Sequence, residues 1–246
     1  MAVLELANIS KNFGAIQAVS DVSLTIERGE VVGLMGDNGA GKSTLVKMIA
    51  GNFPPSHGVM RMDDRDVTLS SPLDARRHGI EIVHQDLALC DNLTAAANVY
   101  LGRELRRGVG PFTILDHGGM VRRAGALFKE LKSETRPRDL IKQMSGGQRQ
   151  AVAIARTMLA DAKVVLMDEP TAAISVRQVA EVLNHIRHLK AQGIAVVLIT
   201  HRMPDVFGVA DRIIVLRRGR KVADRRAEDS SPEEVTGLIT GAIEKV

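Results

Sequence analysis

The chain has 246 residues, 45% of them hydrophobic, which is enough for one large α/β domain with a buried core and excludes global disorder. Aromatic residues make up 2% and tryptophan is absent, which argues against a nucleic-acid reader built on base stacking, and the net charge of +4 fits an ordinary solvated surface. The single cysteine, Cys90, excludes an internal disulfide framework and fits a reducing compartment.

The N-terminus lacks the charged and apolar pattern of a signal peptide, and apolar runs such as residues 194–199 are strand-sized rather than membrane-spanning. In the first third, apolar runs and glycine turns predict short strands and one helix. The strands are at residues 3–6, 22–26, 30–35, 59–62 and 80–83, and the helix is at residues 43–50.

The middle of the chain has helical rather than strand periodicity and reads as a mostly helical insertion. Helices are predicted around residues 92–101, 120–131 and 148–159, interrupted by the glycine- and proline-rich residues 108–111. Strands and helices then alternate again, with strands at 164–167, 195–199 and 212–216 and helices at 176–192 and 205–210. This order predicts an α/β fold with a largely parallel sheet.

A glycine-rich loop follows the third predicted strand and opens the first helix. It has the pattern of glycine, four residues, then Gly-Lys-Ser. Its glycines let backbone N–H groups approach a phosphate, Lys42 reaches the β and γ phosphates, and the Ser43 hydroxyl is suited to Mg²⁺. The alternative is a glycine turn with an incidental lysine. The candidate nucleotide-binding residues are Gly36, Asp37, Asn38, Gly39, Ala40, Gly41, Lys42, Ser43 and Thr44.

Two further motifs lie near the predicted strand at 164–167, one before it and one directly after it. The run Ser145-Gly146-Gly147-Gln148 opens a helix, and alone it reads as no more than a serine-capped helix start. The strand at 164–167 is followed by Asp168 and Glu169. Carboxylates at the carboxyl end of a strand are where such folds place Mg²⁺ and an activated water.

Gln85 lies between the glycine-rich loop and the run at Ser145, and His201 follows Glu169. This ordered set of motifs resembles the ATP-binding subunit of ATP-binding-cassette (ABC) transporters over nearly the whole chain. The resemblance implies one ABC domain: a P-loop NTPase core with a mostly parallel sheet, an antiparallel β subdomain and an inserted helical subdomain. It places the catalytic core at residues 1–86 and 160–246 and the helical subdomain at about 87–159.

The resemblance also implies roles, with ATP and Mg²⁺ as cofactors. Asp168 holds Mg²⁺ through water, together with Ser43 and Gln85. Glu169 is the general base, and His201 contacts the γ-phosphate. Phe13 stacks on adenine, although core packing is the usual explanation for a lone phenylalanine.

In this family two subunits pack head to tail around ATP. The resemblance therefore implies a homodimer in which Ser145, Gly147 and Gln148 contact the nucleotide held by the partner's phosphate loop. Three positions depart from the family's pattern: Met144 replaces leucine, His84 replaces an aromatic residue, and Ser175 replaces an aspartate. Ser175 still caps a helix but carries no charge for the dimer interface.

Residues 33–39, 86–94, 101–104 and 201–207 resemble a narrower group, the ATP-binding subunits of ribose-, xylose- and fructose-type importers. The implied partners are a transmembrane permease and, indirectly, a periplasmic or extracellular sugar-binding protein, with no nucleic acid. The implied location is the cytoplasmic face of the inner membrane, as a peripheral subunit. The surface at Leu87, Ala88 and Leu89 is expected to dock the permease, with burial as the alternative. Competing functions are import of another small solute, a non-transport ABC ATPase, and a regulatory module without catalysis.

Overall fold

The structure is a computed structural model that describes residues 2–84, 86–109, 112–172 and 174–243. The strands in chain order are β1 (Ala2–Phe13), β2 (Ile16–Glu27), β3 (Val31–Met35), β4 (His57–Met62), β5 (Arg65–Val67), β6 (Ile80–Val83), β7 (Arg106–Val109), β8 (Phe112–Leu115), β9 (Val164–Asp168), β10 (Ala195–Ile199), β11 (Arg212–Arg217) and β12 (Arg220–Arg226). The helices are α1 (Lys42–Ile49), α2 (Pro72–Arg77), α3 (Ala95–Val99), α4 (His117–Glu130), α5 (Gly146–Leu159), α6 (Val176–Ala191), α7 (Met203–Val209) and α8 (Pro232–Thr240).

The central sheet has the strand order β12-β11-β3-β10-β9-β6. Neighbouring strands are parallel from β11 through β6, and β12 pairs antiparallel with β11 at the edge. Strands β3 and β10 are buried along their whole length because helices cover both faces of the sheet, which explains their continuous apolar sequences. The carboxyl ends of β3, β10 and β9 therefore lie side by side at one edge, where ligands bind in open α/β sheets.

A second, antiparallel sheet has the order β2-β1-β4-β5. Its strands β1 and β2 are 12 residues each, much longer than the predicted runs at 3–6 and 22–26. The pairing of β1 with β2 is interrupted by register shifts, for example between Leu6 and Ile9. Each shift breaks the alternation of apolar and polar residues, and the sequence pattern therefore reveals only part of each strand.

Helices α3, α4 and α5 share a core cluster that includes Tyr100, Phe128 and Ile154, as the predicted helical insertion requires. Between α3 and α4, however, β7 and β8 form an antiparallel pair, and β7 includes Gly108 and Val109 of the predicted interruption at 108–111. Phe112 and Ile114 in β8 are exposed, and this hairpin therefore lacks the buried alternation that predicts a strand.

The last strand and helix, β12 and α8, were also not predicted from the sequence. Strand β12 lies at the sheet edge and is largely polar, and α8 packs Val235 and Leu238 onto the cluster around Ile213 and Val215. Within the part of the chain that the structure describes, none of the helices is long and apolar enough to span a bilayer.

Candidate functional site: a phosphate loop facing two carboxylates

The phosphate loop connects β3 to α1 through glycines in conformations that other residues rarely adopt. Gly36, Gly39 and Gly41 have φ values of 149°, 78° and 99°, and Gly41 is the residue that caps α1. A Cβ on Gly36 would overlap the carbonyl oxygen of Leu216, which excludes any side chain there. The loop is therefore a cradle of backbone groups at a helix N-terminus, the arrangement that binds phosphate.

Lys42 extends its ammonium group back across this loop. Its Nζ donates to the carbonyl oxygens of Gly36 at 2.6 Å and Asp37 at 3.0 Å. Burial lowers the pKa of Lys42, an effect partly opposed by the nearby carboxylates of Glu169, Asp37 and Asp168. The ammonium is thus held inside the loop by neutral acceptors, which a phosphate anion would replace with stronger, charge-assisted bonds.

The loop is held from the other side by the turn between β11 and β12. The N–H of Gly219 donates to the carbonyl oxygen of Ala40 at 3.0 Å, and the N–H of Ser20 donates to the carbonyl of Gly219 at 2.8 Å. A Cβ on Gly41 would come within 2.7 Å of the carbonyl oxygen of Ala18 in β2. The loop is therefore fixed by two separate parts of the chain, and the β2 end of the antiparallel sheet lies directly against it.

At the same sheet edge, Asp168 is the last residue of β9 and Glu169 follows it. Burial raises the pKa of Asp168, and the neighbouring charge of Glu169 raises it further. Glu169 has φ = 50°, a left-handed conformation that is uncommon for a non-glycine residue, and such strain clusters at functional sites. Its N–H donates to the carbonyl of Ile199 at 2.8 Å, which ties this turn to the end of β10.

Glu169 contacts the residues that end β10. Its Oε1 lies 3.0 Å from Nδ1 of His201, and its Oε2 accepts from the hydroxyl of Thr200 at 3.4 Å. The His201 side chain is 74% exposed, whereas that of Glu169 is 20% exposed. The predicted base is therefore held in place at the sheet edge, while the histidine side chain is largely exposed to solvent.

The donor set fits Mg²⁺ held jointly with a nucleotide. Among the described residues, no group of three or more His, Cys, Asp or Glu side chains is placed to hold a metal alone. Mg²⁺ commonly takes one or two protein ligands and completes its octahedron with phosphate oxygens and water. The pKa of Asp168 is raised first by burial and then by the neighbouring carboxylate of Glu169, and a bound cation would stabilise the charged form of this acid. Gln85, the third predicted Mg²⁺ contact after Ser43 and Asp168, lies outside the described residues.

One buried charge cluster beside the site was missed by the sequence reasoning. Asp205 in the first turn of α7 is 2% exposed and accepts from the hydroxyl of Thr171 at 2.6 Å. Nε of Arg202 lies 3.1 Å from the same carboxylate. These contacts fix the loop after Glu169 to the loop after His201. The sequence signal for this cluster was Asp205, which follows His201 closely. An aspartate in the first turn of a helix is stabilised by the helix dipole.

Phe13 lies at the end of β1 and is 47% exposed, which argues against the core-packing alternative. Its ring packs edge-to-face on Phe53 with centroids 5.3 Å apart, and Nζ of Lys11 lies 5.4 Å from its centroid. Phe13 pairs with Ile16 at the end of the β1–β2 hairpin, a short distance along β2 from Ala18, which lies against Gly41. The end of the hairpin that carries Phe13 is therefore close to the phosphate loop.

The run Ser145-Gly146-Gly147-Gln148, called the signature below, belongs to a second cluster of residues. This cluster lies at the adjacent starts of α5 and α6. Ser145 caps α5, and its hydroxyl oxygen accepts from the N–H of Gln148 while the Gln148 side chain accepts from the N–H of Ser145. Ser175 caps α6 through the same reciprocal arrangement with Gln178. Ser145 is exposed and Gly147 is buried. The serine in place of an aspartate at 175 thus serves as a helix cap, as the sequence predicted.

A cleft of about 880 Å³ opens beside this second cluster rather than at the phosphate loop. It lies between the end of α4, the start of α5 and the face of α6 from Ser175 to His188, and His185 lines it. His185 is 6% exposed, and burial, reinforced by His188, lowers its pKa to about 4. His185 is therefore neutral at physiological pH.

The segment after Gln85 is only partly exposed. Leu87 and Leu89 pack against the cluster formed by the middle helices, whereas Ala88 is exposed. Leu87 and Ala88 have φ values of 58° and 44°, so the segment turns sharply there. The structure thus favours burial for the two leucines and leaves Ala88 as the part of this segment open to a partner.

The comparisons with known proteins agree with this geometry. A family model described as "ABC transporter" matches residues 19–172. A xylose/arabinose import ATP-binding protein of Sulfolobus acidocaldarius is 42% identical over 99% of this chain and 96% of its own length. A ribose import ATP-binding protein of Burkholderia pseudomallei is 38% identical over 97% of this chain, which spans only 46% of that relative's length.

Solved structures agree in fold. A nucleotide-free ATP-binding cassette from an ABC transporter superposes with a TM-score of 0.83 and 28% identity, covering 98% of this chain and 96% of that one. A dimeric post-hydrolysis cassette bound to ADP and Pi gives a TM-score of 0.74 at 28% identity, covering 91% and 98%. The fold and site define a P-loop nucleotide-binding domain. The chain belongs to the ABC transporter family, as one of its ATP-binding cassettes.

Proposed function

We propose that this chain hydrolyses MgATP to drive the import of a sugar through a separate membrane permease. The observation that carries the hydrolytic part is the convergence of Lys42, Asp168, Glu169 and His201 at one sheet edge. The intact set, with Glu169 held against His201, argues against a regulatory module without catalysis.

Each side chain has a chemical task in this proposal. Lys42 and the loop from Gly36 to Thr44 bind the phosphates, and Ser43, Asp168 and Gln85 hold Mg²⁺. When bound, Mg²⁺ supplies a positive charge that neutralises the phosphate oxygens. Glu169 accepts a proton from the attacking water, and His201, beside it, contacts the γ-phosphate.

The nucleotide site is completed by a second copy of the chain. In the proposed head-to-tail homodimer, Ser145, Gly147 and Gln148 of one copy face the ATP held by the other, and Phe13 stacks on the adenine. The exposure of Ser145 at a capped helix N-terminus, which favours an anion, supports this role. The dimeric ADP- and Pi-bound relative lends the arrangement further support.

Sugar as the cargo rests on the relatives, whose names specify xylose/arabinose and ribose import. Permease subunits, an indirectly engaged sugar-binding protein and a peripheral position at the cytoplasmic face of the membrane belong to the same proposal. So does the division into a catalytic core at 1–86 and 160–246 and a helical subdomain at about 87–159, which the common packing of α3, α4 and α5 supports. Copurification with a sugar permease rather than another importer's permease tests the cargo class.

The composite site is tested by mixing two inactive variants. Lys42→Ala removes the phosphate-binding ammonium, and Ser145→Arg blocks the signature, so each homodimer is inactive at both sites. In a mixed dimer, one site combines both lesions while the other pairs an intact phosphate loop with an intact signature. We expect ATPase activity to reappear on mixing, after pull-down in MgATP has confirmed that mixed dimers form.

Rescue distinguishes the composite site from a site complete within one subunit, because cis catalysis predicts that both variants stay inactive after mixing. Confirmed mixed dimers with no more activity than either parent would count against independently working composite sites. They would leave catalysis in cis or strict cooperativity between the two sites.

A further inference from the structure

The first turn of α6 packs directly against the two glycines of the signature. A Cβ on Gly146 would lie 3.1 Å from Nε2 of Gln178 and 3.3 Å from Cγ2 of Ile174. A Cβ on Gly147 would lie 3.3 Å from Cγ of Gln178 and would overlap a carboxylate oxygen of Glu181. Both glycines therefore face α6, and Gln178 is the residue that approaches both.

Gln178 is held in this position by the cap of its own helix. Its Oε1 accepts from the N–H of Ser175 at 2.9 Å and from the Ser175 hydroxyl at 3.0 Å. Because both of these donors need an oxygen acceptor, the orientation of the amide is fixed by its hydrogen bonds. The amide nitrogen is consequently turned towards Gly146.

This contact fixes the side of the signature turn that faces away from solvent. The side chain of Ser145, the cap of α5, is exposed, and Ser145 and Gln178 line the same cleft. The capping of α6 needs only the Ser175 hydroxyl as acceptor for a backbone N–H. That cap bond does not need the Gln178 amide nitrogen. The approach of this amide to Gly146 and Gly147 is therefore a separate contact.

We infer that Gln178 is a positioning residue for the signature, which sets where Ser145 meets the ATP held by the partner subunit. This inference rests on the proposed head-to-tail dimer. Gln178 touches no reacting atom in its own subunit's site. Its effect is exerted through Gly146 and Gly147 on the nucleotide bound by the other copy.

The mixed dimer allows the same substitution to be placed on either side of the one intact site. The Lys42→Ala subunit supplies that site's signature, and the Ser145→Arg subunit supplies its Lys42 and Glu169. We expect Gln178→Ala in the Lys42→Ala subunit to lower the rescued ATPase rate about tenfold, since a misplacement near 1 Å costs up to about 10²-fold. In the Ser145→Arg subunit the same substitution should change the rate less than about twofold, because there it lies beside a signature that is already blocked.

Asn184→Ala is the matched control, because Asn184 is on the same helix, is exposed and is not among the nearest neighbours of either signature glycine. It should leave the rescued rate unchanged in either subunit. Equal losses from Gln178→Ala in both subunits, or a loss confined to the Ser145→Arg subunit, would overturn the inference. The first result would mean general destabilisation, and the second a role in supporting the Glu169 loop. Absence of any rescue in the parental mixture would count against independently working composite sites, and the inference, which rests on them, would fall with them.

Discussion

Nδ1 of His201 lies 3.0 Å from Oε1 of Glu169, so the residues that follow two adjacent parallel strands are in direct contact. The glutamate is further held by the hydroxyl of Thr200 and by its own N–H, which donates to Ile199. Two contacts on the carboxylate and one on the backbone of the same residue therefore fix the position of the Glu169 side chain.

We expect Glu169→Gln to bind ATP but to lose steady-state hydrolysis. The amide keeps the shape of the side chain and its contacts with Thr200 and His201, whereas the proton acceptor is lost, which costs about 10²–10⁴-fold in rate. Equilibrium binding of a fluorescent ATP analogue and phosphate release measure the two effects separately. Turnover close to that of the wild type would remove Glu169 from the role of base.

We expect Phe13→Ala to weaken ATP affinity by about 1–3 kcal/mol, the range for base–aromatic stacking, with little change in maximal rate. Because the ring is 47% exposed, thermal stability should change little. Phe112→Ala, which removes a ring that is 86% exposed in β8, is the matched control and should leave ATP affinity unchanged. Clear thermal destabilisation with unaltered affinity would favour a packing role for Phe13 instead.

We expect Leu89→Glu and Ala88→Glu to have different consequences, although they are adjacent. Leu89 packs against the middle-helix cluster, and an unpaired charge there should lower the free energy of unfolding by about 1–3 kcal/mol. Ala88 is exposed, and its substitution should leave the isolated subunit folded while uncoupling hydrolysis from transport. Thermal melts of both variants, with ATPase and uptake assays, measure this. If Leu89→Glu remains fully stable, the side chain is not part of the core.

We expect His185 to reduce stability in mild acid. Its folded-state pKa is about 4, below the ordinary value of 6.5, because burial disfavours the charged form. Between these values the unfolded chain binds a proton that the folded chain does not, and the free energy of unfolding therefore falls as pH drops from about 6.5 towards 4. The loss is about 3 kcal/mol at most.

Urea denaturation at pH 7.5 and pH 5 measures this loss. His185→Leu should remove much of the pH dependence, whereas His57→Leu, at an exposed histidine, should not. An unchanged pH dependence in His185→Leu would show that other groups cause it.

The parallel core was predictable because its strands are continuously apolar and end in residues with recognisable chemistry, such as Asp168 and Glu169. The predicted α/β fold, with a mostly parallel sheet, an antiparallel sheet and helices in the middle of the chain, is confirmed. The hairpin of β7 and β8 was not predictable because Phe112 and Ile114 gain no burial from it. Strand β12 was not predicted for a similar reason. It is an edge strand with a largely polar sequence, which lacks the alternation of apolar residues that a core-facing strand shows.

The sequence names candidate site residues, but it does not show the contacts that hold those residues in place. Sequence motifs identify Lys42 and Gly147, but they do not show that Gly219 anchors the phosphate loop or that Gln178 approaches the signature. These contacts join residues distant in the chain, and local periodicity carries no information about them. Hydrogen-bonding partners such as Thr171 and Asp205 are equally invisible until the two loops are brought together.

Strand β3, which leads into the phosphate loop, lies between β10 and β11, and its two neighbours begin at Ala195 and Arg212. During synthesis, β3 leaves the ribosome before either of its neighbours. Both of its edges stay unpaired until β10 and β11 have been made. The loop itself gains its anchor only when Gly219 has left the ribosome. The phosphate loop can therefore bind nucleotide only after most of this domain has been synthesised. Until then the unpaired edges of β3 are exposed, and a chaperone that covers strand edges would protect them from aggregation.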